Sequence, residues 1–129
     1  MARDVIRPTN VHKPRGYSHA MKVGNSIYTS GQVALDLEGN IVGKGDFVKQ
    51  FEQTLENMKR VLESAGASMS DIVQMVMFIT DLSQLEKTGD VFTKYFQRPY
   101  PPSVAVQVSR LGQPEWMVEM IATAVVDHA

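Results

Sequence analysis

The chain has 129 residues, a formal net charge of −1 and no cysteine. That length holds one core and leaves no room for a second domain, so residues 1–129 are expected to form a single unit. Without cysteine there are no disulfides, thiolate nucleophiles or cysteine metal sites, and the near-neutral charge offers no global attraction to nucleic acid or an anionic membrane. No segment approaches a membrane span, and Met-Ala-Arg-Asp-Val at the start carries no signal-peptide apolar run. The expected address is cytoplasmic.

Residues 1–16 are polar and punctuated by Pro8, Pro14 and Gly16, which suits an arm lying over the surface. Residues 18–23 and 26–31 read as two short strands around Gly24-Asn25, a two-residue hairpin loop. Residues 36–45 form a turn-rich excursion with a brief extended piece. From Asp46 the period changes to helical: Phe47, Phe51, Leu55, Met58 and Leu62 recur on one stripe, with Asp46 as N-cap and Gly66 as stop. Residues 72–80 predict a buried strand. Ser83-Gln-Leu-Glu86 has the form of a capping box, opening a second helix with Leu85, Phe92, Tyr95 and Phe96 inward that closes before Pro99. Two further strand-like runs follow, in 101–111 and 117–126. The order of hairpin, helix, strand, helix, strand, strand predicts an α+β sandwich with both helices on one face of the sheet.

The last strand carries the sharpest clue. Val118, Met120, Ala122, Ala124 and Val126 point one way, and Met117, Glu119, Ile121, Thr123 and Val125 the other. Both faces are mostly apolar, as in a sheet covered on two sides. Two helices cover one side, so the second cover is expected from further copies of the same chain, the alternative being a fold-back of the terminal arm. A carboxylate in such a wall must be paired, hydrogen-bonded or neutral, which makes Glu119 the leading candidate for a functional group. The bland alternative is a carboxylate satisfied by backbone amides or by Arg110.

Ser30-Gly31-Gln32 after the hairpin, Asn57 in the first helix, Gly66 closing it, and Ser109-Arg110-Leu111 with Val118-Glu119-Met120 resemble the Rid family of YjgF-type proteins. Its older label is endoribonuclease L-PSP. The resemblance runs from about Tyr17 to the end of the chain. It implies a chorismate-mutase-like mixed β-sheet with two helices on one face, assembled as a homotrimer with ligand clefts between subunits. One branch of the family hydrolyses reactive enamines and imines to ketoacids and ammonia without a cofactor. There an arginine after the proline of a late strand grips the substrate carboxylate. Its position here, within Tyr100-Pro101-Pro102-Ser103, falls on Ser103, which cannot neutralise a carboxylate. By the same resemblance Tyr17 stands at the cleft mouth, Ser30 and Gly31 line the pocket, Ala105 shares the strand face of Ser103, and Glu119 holds the attacking water.

Three readings follow. The first is a hydrolase or deaminase of a small imine, enamine or related metabolite other than the usual 2-imino acids, with Glu119 catalytic and Tyr17, Ser30, Gly31, Ser103, Ala105 and His19 lining the site. The second is a trimer that binds a small-molecule ligand without turnover, and the third an endoribonuclease. The last would need a basic groove and an acid–base pair near phosphate, and the sequence shows neither. His12, His19 and His128 make no metal signature, and no nucleic-acid or membrane partner is expected.

Overall fold

The computed structural model describes residues 2–127. Helix α1 spans Phe47–Ser64, and its start and stop are chemical. Asp46 Oδ1 accepts from the Lys49 amide at 3.1 Å, taking up a donor the first turn would leave unpaired. At the other end Gly66 has φ +83°, and the Ala67 amide returns to the Leu62 carbonyl at 2.9 Å. Phe47, Phe51, Leu55, Met58, Val61 and Leu62 lie on the buried stripe, as the spacing predicted. Three polar side chains share that face: Gln50, Thr54 and Asn57.

The stripe packs on a six-stranded mixed sheet of order β1-β2-β3-β6-β4-β5. The strands are β1 Arg3–Ile6, β2 Ala20–Val23, β3 Ser26–Thr29, β4 Ile72–Ile79, β5 Ser103–Gln107 and β6 Val118–Val125. The β2–β3 turn is the expected one, with the positive φ of 59° on Gly24 alone. Strand β5 runs parallel to β4 through a crossover that contains the short helix α2, Gly89–Tyr95. Every other pairing is antiparallel. The expected extended piece within 36–45 is a single bridge, Leu35 with Ile41.

Three local expectations are corrected. The amino-terminal arm is not wholly irregular, because Arg3–Ile6 pairs antiparallel with Ala20–Val23 and becomes an edge strand. It widens the sheet and leaves the open face uncovered, so the fold-back alternative fails. The capping box at Ser83 does not form. Asp81 caps instead, accepting from the Ser83 amide at 3.1 Å and its hydroxyl at 2.7 Å, and the segment opens as a 3₁₀ turn over Leu82–Thr88 before α2. Phe96 is buried, but in extended backbone just beyond the helix.

The two faces of β6 part company. Val118, Met120, Ala122, Ala124 and Val126 are buried beneath α1. On the opposite face, the register aligns Glu119 with Phe78, Ile121 with Val76 and Thr123 with both Gln74 and Tyr28. Val104 and Val106 join that face from β5, with Val104 51% and Tyr28 52% exposed. The result is an open apolar sheet face with one carboxylate in it.

Candidate functional site

Glu119 owes its seat to Gly31. Residues Ser30 to Gln32 run beside β6, with the Gln32 and Met120 backbones exchanging hydrogen bonds at 2.8 and 3.0 Å. Gln32 points into the core, so Gly31 meets the opposite face. A Cβ placed on Gly31 would overlap Glu119 Oε2 and lie 2.7 Å from its Cδ and 2.9 Å from its Cγ. The glycine is therefore a notch that the carboxylate fills, a close approach no other residue permits. Burial pushes the Glu119 carboxyl above its ordinary value, and among the described residues no hydrogen bond or cation opposes the shift. The bland alternatives of backbone amides or Arg110 as partners fail. Arg110 instead donates to the carbonyls of Leu111 and Gly112 at 3.0 and 3.3 Å.

Tyr17 stands on the same side. Its phenol is pushed up by burial and by the Glu119 carboxylate, whose charge thus reaches it, although the side chain is 46% exposed. The Tyr17 hydroxyl lies 3.0 Å from His12 Nε2, a hydrogen bond either group can donate. His19 sits behind them, buried, with edge-on ring contacts to His12 at 4.8 Å and Tyr17 at 5.8 Å. Its Nε2 donates to the His12 carbonyl at 2.7 Å, so its Nδ1 accepts from Gln32 Nε2 at 3.2 Å. Both ring nitrogens are engaged, and neither is left for a ligand. His19 holds the 12–17 loop against the sheet. Ser30 is likewise committed, with its hydroxyl donating to the His19 carbonyl at 3.2 Å.

His12 is the residue that sequence reasoning passed over. It is 5% exposed, and its Nδ1 finds no partner among the described residues. An unpartnered buried polar atom costs about 1–3 kcal/mol. Desolvation and then the neighbouring His19 hold its pKa below the ordinary histidine value, so the ring is neutral at pH 7. Nothing in the spacing of His12 to Tyr17 marks it, because the loop between them has no period.

Ser103 and Ala105 fall elsewhere. Their partners on β4 are Met75 and Met77, which face the helices, whereas Glu119 pairs with Phe78 on the open face. One chain therefore brings together Glu119, Gly31 and Tyr17, but not Ser103 or Ala105, which sit on the other side of edge strand β5.

Two amides anchor the frame. Gln50 Nε2 donates to the Gly43 and Glu115 carbonyls at 3.1 and 3.0 Å, while its Oε1 accepts from the Met117 amide at 2.9 Å. This clamp ends two residues before Glu119. Asn57 Nδ2 donates to the Val33 and Leu35 carbonyls at 2.8 and 2.9 Å, fixing the chain just past Gly31. A cavity of about 560 Å³ opens beside Tyr17, lined also by His12, Arg15, Leu37, Gln113 and Trp116. Among the described residues, no three His, Asp or Glu side chains gather as metal ligands. His128 lies outside the described residues. No helix among them is long and apolar enough to cross a membrane.

Comparison with known proteins gives a consistent result. Residues 9–126 match the family model described as endoribonuclease L-PSP. A RutC family protein of Pyrococcus abyssi is 42% identical over 125 residues, 96% of this chain and 98% of its own. A 2-iminobutanoate/2-iminopropanoate deaminase of Dermatophagoides farinae is 37% identical over 95 residues, 74% of each chain. Among solved structures, RidA of an Antarctic Psychrobacter superposes with a TM-score of 0.88 at 34% identity, covering 95% of this chain and 99% of that one.

Proposed function

The chain belongs to the endoribonuclease L-PSP family, the Rid proteins, and from that premise we propose that it hydrolyses a small reactive imine or enamine to a carbonyl compound and ammonia. The observation that carries the reading is Glu119, a half-buried carboxylate with a raised pKa, seated in the Gly31 notch on an open sheet face. Its elevated basicity suits it to accept a proton from water as the water oxygen attacks the C=N carbon. The nitrogen reacts in its protonated, iminium form: the π electrons pass to it, and the neutral amine so formed takes up that proton and becomes an ammonium. The C–N bond of the resulting carbinolamine then breaks and ammonia leaves.

The clefts are completed by other copies, in a homotrimer. Two observations support this. The open face carries Tyr28, Val104, Val106 and Val125 exposed, an apolar surface of the kind that marks a contact with another protein chain. Ser103 and Ala105 lie on the far side of β5 from Glu119, so they meet a Glu119 only across a subunit boundary. Relatives named 2-iminobutanoate/2-iminopropanoate deaminase suggest the reaction, and Ser103 argues for a different substrate. A neutral hydroxyl cannot balance a carboxylate next to the reacting carbon, so the preferred imine lacks that group.

The same serine favours a second reading, a trimer that holds a metabolite without turnover. Ammonia release separates the two. Imines are generated in situ by an amine oxidase or an amino-acid oxidase, with Glu119→Ala as control. Acceleration that Glu119→Ala abolishes supports hydrolysis. No acceleration on any imine refutes it and leaves the binding protein.

A further inference from the structure

We infer that His12 is a positioning residue that turns Tyr17 into a proton relay, serving the oxygen of the carbinolamine while Glu119 serves its nitrogen. This deepens the hydrolase reading and rests on it. The geometry is specific. Among the described residues the Tyr17 hydroxyl has one hydrogen-bond partner, His12 Nε2 at 3.0 Å, and the His12 ring makes that one side-chain hydrogen bond. The ring is fixed from behind by the edge-on contact with His19, and its own carbonyl is held by His19 Nε2 at 2.7 Å. Tyr17 then projects from this buried base to the exposed side, where the charge of Glu119 reaches it.

Collapse of a carbinolamine needs a proton removed from its hydroxyl as the C–N bond breaks. The substrate nitrogen enters already protonated, as an iminium, so the proton that Glu119 returns to it makes the departing group an ammonium, which leaves as ammonia when the C–N pair stays on nitrogen. The hydroxyl proton passes to the Tyr17 oxygen as Tyr17 passes its own to His12 Nε2. The oxygen lone pair closes the C=O bond, and the C–N pair stays on nitrogen. His12 ends as imidazolium and gives its extra proton to the released ammonia or to solvent. Tyr17 gains one proton as it loses one and never becomes a phenolate, a form its surroundings disfavour. The relay requires a neutral His12 with its proton on Nδ1, the nitrogen without a partner.

The groups that set the His12 charge state are few. Tyr17 and His19 pack on the ring, Lys13 and Arg15 share its loop, and Glu38 lies across the adjoining cavity.

The test uses His12→Gln, which keeps a side-chain amide near the hydroxyl but cannot take a proton. The expected result is a kcat lowered at least tenfold with KM within threefold. The acid limb of log kcat/KM against pH is expected to fall from a slope near 2, set by Glu119 and His12, to a slope near 1. Tyr17→Phe reproduces the loss, and the double variant is no worse than the poorer single one, because both act in one relay. A kcat within twofold of wild type, an unchanged slope, or losses that multiply would overturn the relay. If the wild type accelerates no imine, the hydrolase reading itself has failed, which is a different outcome. Ring ¹⁵N shifts keep the test open should His12→Gln fail to fold. The Nδ1–H tautomer is expected in wild type and a changed Nε2 shift in Tyr17→Phe, whereas an Nε2–H ring refutes the relay.

Discussion

Replacing Gly31 by alanine isolates the notch that seats Glu119. The new Cβ would overlap Glu119 Oε2 and stand 2.7 Å from Cδ, well inside van der Waals contact, so one of the two must move. The backbone of Gly31 is held between the Ser30 amide, bonded to the His19 carbonyl at 2.9 Å, and the Gln32–Met120 pair. The carboxylate is the flexible end and swings out toward solvent. Overpacking in a rigid site costs about 1–3 kcal/mol, but a half-exposed side chain that rotates away avoids most of it. With roughly 2.1 cal/mol/K of unfolding entropy per residue, a chain of this size loses about 4 °C of Tm per kcal/mol. Gly31→Ala should therefore lower Tm by about 4 °C or less, yet lower imine hydrolysis about as far as Glu119→Ala does. Its Glu119 carboxyl, followed by ¹³C NMR, should titrate nearer the ordinary value than the wild-type group, since it regains water. A variant with wild-type turnover and an unshifted Glu119 titration would refute the account of the notch.

Three further outcomes follow from the same geometry. Because the Glu119 pKa is raised on folding, the native state binds more protons than the unfolded chain between the ordinary value near 4.5 and the raised one. Its ionisation thus opposes folding above that window, so Glu119→Gln should be the more stable protein at pH 7 and lose that advantage as pH falls below about 4.5, as denaturant melts at each pH will show. Ser103→Arg restores a cation where a substrate carboxylate would bind, and should raise kcat/KM for 2-imino acids relative to neutral imines by roughly ten- to hundredfold, the worth of a charge-assisted hydrogen bond. Equal rates on both classes would remove Ser103 as the specificity residue. If the proposed trimer forms through this face, Val104→Asp, which puts a charge at a side chain 51% exposed in the single chain, should leave the chain folded while sedimentation shows wild type as a trimer and the variant as a monomer. An unchanged sedimentation coefficient would place the subunit contact elsewhere.

The parts of this fold that were legible in the sequence are those governed by a period. The α1 stripe and the alternation of β6 each commit many residues to one face, so a single misleading position changes little. Strand β1 commits only Arg3–Ile6 and is recognisable as a strand only through its partner Ala20–Val23, a long-range pairing that local composition does not announce. The capping error at Ser83 has a similar origin. Asp81 and Ser83 both suit a helix start, and what decides between them is that the Ser83 hydroxyl donates to Asp81 Oδ1. The buried amides were legible at most as marks of a family resemblance, at Gln32 and Asn57, and what they bond was hidden for a further reason. Gln32, Gln50 and Asn57 answer to backbone carbonyls or a histidine brought near by folding, and nothing in their own neighbourhoods distinguishes them from surface residues.

The candidate site divides along the same line. Glu119 could be found because its anomaly is local, a carboxylate on a strand apolar on both faces. His12 could not, because its anomaly, a buried Nδ1 with no partner among the described residues, exists only in the folded chain. The two are complementary in a way that gives the site its chemistry. Glu119 is half-buried, with no cation beside it among the described residues, and so becomes a stronger base. His12 is buried beside a second imidazole and so stays neutral, able to receive a proton at pH 7. Desolvation moves an acid and an imidazole in opposite directions, and Tyr17 stands between them, hydrogen-bonded to one and within the field of the other. Covering the open face with a neighbouring subunit would take more water from Glu119 and widen that separation. An assembly that completes the cleft would then also sharpen the base within it.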